Sequence, residues 1–200
     1  MAPVTDHTGL ITHFVAIAAD IDQQKAMEAA LQRLAVTDPL TGAANRRRLF
    51  EQGESEILRT RRTGEPTAML MLDIDHFKQI NDAHGHPAGD AVIRALATEA
   101  TKMVRAIDTV GRFGGEEFAI LLPLTGTPGA IDIAERLRAS VAALAMTWQQ
   151  EVISFTVSIG VAVATTSTAD FDELVTMADT ALYRAKNAGR NRVALCAAAD

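Results

Sequence analysis

Gly111-Arg112-Phe113-Gly114-Gly115-Glu116-Glu117-Phe118-Ala119-Ile120-Leu121-Leu122 is the stretch on which the reading of this chain turns. Apolar residues flank a Gly-Gly pair, and two carboxylates follow at once. The pattern predicts a β-hairpin spanning about Asp108 to Leu122, with the acids at its turn. Glycine there permits positive φ and leaves room for a bulky ligand near the backbone. Neighbouring carboxylates on a strand face opposite sides, so Glu116 and Glu117 should have different tasks. A plain solvated hairpin tip fits these few residues equally well, and the rest of the chain has to discriminate.

Upstream, Thr67-Ala68-Met69-Leu70-Met71-Leu72-Asp73-Ile74-Asp75 is an almost unbroken apolar run that ends in acids. Such a run predicts a central strand, buried on both faces, with carboxylates at its C-terminal end. If this strand neighbours the hairpin, Asp73, Asp75, Glu116 and Glu117 converge at one sheet edge. Hard oxygen donors at that density suit Mg²⁺, which takes one or two carboxylates and then phosphate oxygens and water. Asp75 can equally cap the next helix. Lys78 opens that helix, and Lys186 and Arg190 lie four apart near the end of the last one. These cations can hold triphosphate oxygens, although Lys186 and Arg190 also fit the ordinary preference for positive charge at a helix C-terminus. No Gly-rich loop of the Walker type is present.

Between these points the chain alternates helices and strands. Asn45 should cap a helix from Arg46 to about Arg62, with Leu49, Phe50, Ile57 and Leu58 buried and Gly64-Glu65-Pro66 ending it. His76 to Ala83 reads as a short helix, Gly85 to Asp90 as a loop, and about Ala88 to Arg105 as a long helix. A helix should run from Thr127-Pro128 to about Leu144, a strand from Val152 to Ala164, a helix to about Asn187, and a short strand over Arg192 to Leu195. Strands separated by helices around one hairpin predict an α/β (α+β) fold, a central mixed sheet flanked by helices.

Composition narrows the partners. The 200 residues are 48% hydrophobic and 4% aromatic, with net charge −6 and a pI of about 5.4, so a broad nucleic-acid surface is not expected. One cysteine, Cys196, excludes an internal disulfide framework and suits a reducing cytoplasm. His84 and His86 beside glycines make a poor metal site and read as turn or packing residues. No stretch approaches the ~18 apolar residues of a membrane span. No basic segment precedes the apolar run Phe14 to Ala19, as a secretory signal would require. Residues 1 to about 20 read as an extended segment whose strand, Leu10 to Ile17, lacks a partner. Met27, Leu31 and Leu34 then form a coiled-coil-like stripe on a helix opened by Asp20 or Asp22.

The chain from Asp38 resembles the GGDEF family, the diguanylate cyclases. The resemblance is carried by Asp38-Pro39-Leu40-Thr41-Gly42 with Asn45-Arg46-Arg47, and by Asp73 through Asp82. It continues through Gly85-His86 with Gly89-Asp90, then Arg112 to Phe118 with the signature in its Glu-Glu form. Ser158-Ile159-Gly160, Ala178-Asp179 through Tyr183, Ala185-Lys186 and Gly189-Arg190-Asn191 complete it. The N-terminal piece resembles the closing strand of a PAS sensor (residues 1–20) and a signalling helix (21–37) before the GGDEF domain (38–196). The chain is therefore expected to be a piece of a longer protein, cytoplasmic here and possible to tether to a membrane elsewhere.

The resemblance implies a palm-like fold of nucleotidyl cyclases and polymerases with a ferredoxin-like core. It implies a nucleotidyltransferase that joins two GTP into cyclic di-GMP, releasing two pyrophosphates. Carried onto these positions, Asp73 and Glu116 hold Mg²⁺ (Mn²⁺ as an alternative) through side chains and Ile74 through its carbonyl. Phe77 and Lys78 lie at the phosphates, Lys186 and Arg190 grip them from the other side, and Asn81 and Asp90 read guanine. Glu116 also helps deprotonate the attacking hydroxyl. Catalysis needs a homodimer, and an upstream sensor sets its arrangement. Arg105 and Asp108 match the family's Arg-x-x-Asp product-inhibition site, against a surface salt bridge as the plainer reading. They are expected at the end of the long helix and the start of the hairpin, one turn from the metal acids. The rivals are a non-catalytic GTP- or cyclic di-GMP-binding module and a cyclase that accepts ATP.

Overall fold

The computed structural model describes residues 2–15 and 36–196, which belong to two compact units, Met1–Arg33 and Leu34–Asp200. In the first unit β1 (Ala2–Thr5) pairs antiparallel with β2 (Ile11–Val15). The N-terminal strand therefore has a partner, contrary to the sequence expectation. Asp6 makes the connection: its Oδ1 accepts from Thr8 N at 2.8 Å and Leu10 N at 3.1 Å, and Gly9 supplies a φ of 83°. The helix expected from Asp20 and its Met27–Leu31–Leu34 stripe lie outside the described residues.

The second unit is built on a six-stranded mixed sheet. Its strands are β3 (Ala44–Asn45), β4 (Thr67–Ile74), β5 (Thr109–Gly114), β6 (Glu117–Pro123), β9 (Val157–Ala164) and β10 (Val193–Leu195), in the spatial order β10-β9-β4-β6-β5-β3. The two outer pairs are parallel and the inner ones antiparallel. β4 sits inside the sheet with every residue buried, as its unbroken apolar run requires. Its even-numbered side chains, Leu70, Leu72 and Ile74, pack with Val92, Leu96 and Leu137 from α3 (His86–Met103) and α4 (Thr127–Ala143). Met69 and Met71 pack on the other face with Leu49, Ile57, Phe171 and Leu182 from α1 (Arg46–Thr63) and α5 (Phe171–Asn187). Both layers are apolar, and each fully buried Leu, Ile or Phe contributes about 1.5–3 kcal/mol.

The helix boundaries follow local chemistry. Asn45 Oδ1 accepts from Arg48 N at 2.9 Å, and Gly64 closes α1 at φ 78°. Leu58 of α1 is exposed, not buried; the buried set is Leu49, Gly53, Ile57 and Thr60. The stretch read as a loop, Gly85 to Asp90, is mostly helix: α2 (Phe77–His84) ends at Gly85 and α3 starts directly at His86. Pro87 falls in the first turn, where its missing N–H is no loss. The strand read over Val152–Ala164 is broken. β8 (Glu151–Ile153) folds back on β7 (Met146–Trp148), an element the sequence reading lacked, and the chain rejoins the sheet only at Val157.

One glycine sets the distance between α5 and the sheet. A Cβ on Gly160 would lie 2.2 Å from both Ala178 O and Leu182 N. The helix backbone rests on bare strand backbone there, which brings its C-terminal turn down to the end of β4.

Candidate active site

The acids meet at one sheet edge because of register. Asp73 of β4 pairs directly with Glu117 of β6, and both fall on the α5 face with Met71 and Ala119. Glu116 occupies the two-residue turn with Gly115, whose φ is 50°. Strand alternation thus does not separate Glu116 from Glu117; the turn does. Lys186, in the last turn of α5, places Nζ 2.7 Å from Asp73 Oδ2.

The electrostatics are those of a crowded acidic edge. Burial pushes the Asp73 carboxyl above its ordinary value; Lys186 opposes this, and Glu116 and Asp75 add to it. Glu117 is likewise raised, first by burial and then by Asp73, with Lys186 opposing and Asp179 and Glu116 adding. Burial, the largest influence on both carboxyls, exceeds the opposing effect of Lys186. No cluster of three or more His, Cys, Asp or Glu forms a ready-made metal cage among the described residues. A hard cation completed by phosphate oxygens needs only one or two carboxylates, and this desolvated oxygen set fits it.

Asp75 does not cap α2. His76 holds the N-cap position at φ 58° without a side-chain cap. Asp75, buried, accepts from Thr156 Oγ1 at 2.6 Å, Ser158 Oγ at 2.7 Å and Asn191 N at 3.0 Å. The sequence offered no sign of this network, since its members lie on separate elements.

The other expected residues divide between two places. Ile74 ends β4, and Phe77, Lys78 and Asn81 follow on α2. Asn81 packs onto Gly89 so closely that a Cβ there would lie 2.0 Å from Asn81 Oδ1, which sets Asn81 beside the residue preceding Asp90. Asn81 Oδ1 is buried with no hydrogen-bond partner. Arg190 lies in the turn after α5, at φ 59°. Ile74 and α2 follow directly from the Asp73 end of β4, and Arg190 precedes Asn191, whose N–H binds Asp75.

Arg105 and Asp108 lie elsewhere. α3 ends at Met103, so Arg105 follows the helix instead of ending it. Its Nε and Nη2 form a two-pronged ion pair with Asp108 at 3.1 and 2.8 Å, and Nη2 also donates to Pro123 O and to Thr125 Oγ1. Pro123 pairs with Thr67, the start of β4, whereas Asp73 is near its end. The pair is therefore at the opposite sheet edge, roughly 20 Å from the acids at the strand rise of about 3.3 Å per residue. The expectation of one turn's separation was wrong.

Two braces of the hairpin were also unforeseen. Arg112 Nε donates to Gly115 O at 2.8 Å while its Nη1 reaches Asp38 Oδ2 at 3.2 Å. Arg46 lies over the rings of Phe113 and Phe50, 4.6 and 5.4 Å from their centres.

Comparison with known proteins agrees with this architecture. Residues 35–192 match the family model described as "Diguanylate cyclase, GGDEF domain". Diguanylate cyclase DgcP of Pseudomonas aeruginosa is 46% identical over 159 residues, covering 80% of this chain and 24% of that protein. Response regulator PleD of Caulobacter vibrioides is 45% identical over 163 residues, covering 80% and 36%. The chain thus spans about a quarter to a third of the length of these relatives. Among solved structures, the coiled coil and GGDEF domain of DgcB from Caulobacter crescentus, in complex with c-di-GMP, matches at a TM-score of 0.82 and 29% identity. That match covers 88% of this chain and 93% of that one. No helix among the described residues is long and apolar enough to cross a membrane.

Proposed function

The chain belongs to the GGDEF family of diguanylate cyclase domains, and from that premise we propose that it condenses two GTP into cyclic di-GMP, releasing two pyrophosphates. The observation that carries the reading is the register pair Asp73–Glu117, with Lys186 at 2.7 Å from Asp73, at one edge of the sheet.

The side chains of Asp73 and Glu116 and the carbonyl of Ile74 would hold Mg²⁺, or Mn²⁺ in its place. Bound there, the cation neutralises and polarises phosphate oxygens. Lys78 on one side and Lys186 with Arg190 on the other supply the remaining positive charge, Lys as a point and Arg as a fork. Phe77, half-buried against the core, supports the phosphate end of the pocket. Asp90 accepts guanine's N1–H and amino donors together, a pair adenine does not offer. Asn81 brings an acceptor that is already desolvated and unpartnered in that corner. Glu116 takes the proton of a 3′-hydroxyl as its oxygen bonds to the α-phosphorus of the other GTP and the bond to pyrophosphate breaks.

One domain of this shape holds one GTP, so the active form is a two-fold homodimer. An upstream sensor sets its arrangement. Arg105 and Asp108 form the product-inhibition site. Their ion pair keeps both groups in register, and Arg105 remains half exposed to offer its free Nη1 to a guanine or phosphate acceptor. The cyclic di-GMP complex of DgcB supports that ligand class.

The test is incubation with GTP and Mg²⁺ and chromatographic identification of the product, for wild type and for Glu116→Gln. Wild type should yield cyclic di-GMP and the variant, folded, almost none. Binding without turnover by wild type would favour the non-catalytic module, and near-normal turnover by Glu116→Gln would show Glu116 to be misassigned.

A further inference from the structure

The turn after α5 carries Arg190 in a backbone conformation that the residue itself does not favour. Gly189, at φ 111°, ends the helix in the usual way. Arg190 (φ 59°) and Asn191 (φ 43°) then follow, two successive non-glycine residues in the left-handed region. Asparagine tolerates this region; arginine rarely visits it. Such a conformation persists only where the surroundings fix it, and it is characteristic of sites that hold a side chain ready for use.

The surroundings that fix it are visible. Asn191 N donates to Asp75 Oδ2 at 3.0 Å. Asp75 is in turn held by Thr156 and Ser158 from the start of β9. The Asn191 side chain is gripped separately: Arg138 of α4 donates from Nη1 to Asn191 Oδ1 at 2.9 Å. On the near side, Arg190 N donates to Ala185 O at 3.1 Å, and Ile159 N to Arg192 O at 2.9 Å. The residue after Arg190 is thus clamped by two groups outside the assigned site residues, Asp75 just past the end of β4 and Arg138 of α4. Arg190's own side chain makes no hydrogen bond or ion pair among the described residues.

We infer that Asp75, Asn191 and Arg138 are positioning residues, whose task is to hold the Arg190 turn so that its guanidinium meets the substrate's phosphates. The inference rests on the phosphate role of Arg190 proposed above and deepens it. Asp75 is assigned neither to metal nor to helix capping but to this turn. Arg138, far along the chain on α4, acts on substrate affinity without touching substrate.

A GTP analogue that cannot react, with Mg²⁺, is titrated calorimetrically into the full chain and its Arg138→Ala, Arg190→Ala and double variants. Arg138 lies near the surface, so its removal leaves the core intact. Arg138→Ala should weaken binding about tenfold, the scale of one charge-assisted hydrogen bond lost at the ligand. Arg190→Ala should weaken it at least as much, and the double variant should bind no more weakly than Arg190→Ala alone. In turnover, Arg138→Ala should raise KM and spare kcat, since the contact it secures is made before the reaction as well as during it. If Arg138→Ala binds like wild type while Arg190→Ala is weakened, the turn holds itself and the inference is wrong. Effects that multiply in the double variant would equally overturn it, placing Arg138's action elsewhere. If Arg190→Ala binds like wild type, the phosphate role of Arg190 is what has failed, and the inference falls with it.

Discussion

Replacing Gly160 with alanine adds a single methyl group to a strand interior. That carbon would lie 2.2 Å from Ala178 O and Leu182 N and 2.8 Å from Leu182 Cα. All three are backbone atoms of α5, so no side chain can swing aside. Ordinary contact requires a retreat of the helix by about 1 Å, because interiors are close-packed. Overpacking of this kind costs roughly 1–3 kcal/mol, and the rigidity of the neighbours places it near the upper end. At about 2–4 °C per kcal/mol for a chain of this size, Tm should fall by roughly 6–12 °C. The functional effect should exceed what lost stability explains. Lys186 lies one turn beyond Leu182, and a helix displaced there withdraws Nζ from Asp73, now 2.7 Å away. Thermal unfolding and calorimetric titration with an unreactive GTP analogue, both well below Tm, measure the two effects. A Tm within a degree of wild type and an unchanged affinity would refute the argument that bare strand backbone sets the height of α5.

Asp90→Ala should reduce discrimination between GTP and ATP more than it reduces Mg²⁺ affinity, because it removes the acceptor of two guanine donors; competition assays with ATP measure this. Arg105→Ala should relieve product inhibition and raise final yield with little change in initial rate, as progress curves with added cyclic di-GMP would record. Asp73 and Glu117 have native pKa values raised above their unfolded values. Their contribution to stability is therefore present below the unfolded value and lost as pH rises through the native one. Asp73→Asn should thus be more stable than wild type at pH 7.5, by a margin that shrinks toward pH 4 and narrows when Mg²⁺ is added; denaturant unfolding with a margin independent of pH would contradict this.

Elements with a strong local signal were legible in the sequence. β4 announced itself by an apolar run too continuous for a one-sided strand, and the hairpin by its glycines. The convergence of Asp73 with the hairpin acids followed once the two were taken as neighbours. What stayed hidden depended on contacts distant in sequence. Nothing near Asp75 signals that its partners are Thr156, Ser158 and the backbone of Asn191, and a helix cap was the natural local alternative. The β7–β8 hairpin was missed because three-residue strands carry too little pattern, and because Ile153 and Phe155 sit in step with the true strand that begins at Val157. Pro87 misled in the other direction: read as a loop residue, it opens a helix. The Arg112–Asp38 bridge joins residues that the sequence reading quoted only as parts of separate motifs.

The hairpin has the acids at its turn and the Arg105–Asp108 pair at its open end, so the proposed active site and the proposed product site share no volume. A nucleotide seated on the pair displaces nothing at the turn, and one at the turn displaces nothing at the pair. Crowding the reaction with GTP therefore cannot expel product from its site. Inhibition through Arg105 and Asp108 should lower the maximal velocity and leave the apparent substrate affinity intact, a noncompetitive pattern. Flux would then be capped by how much product has accumulated, whatever the cell's supply of GTP.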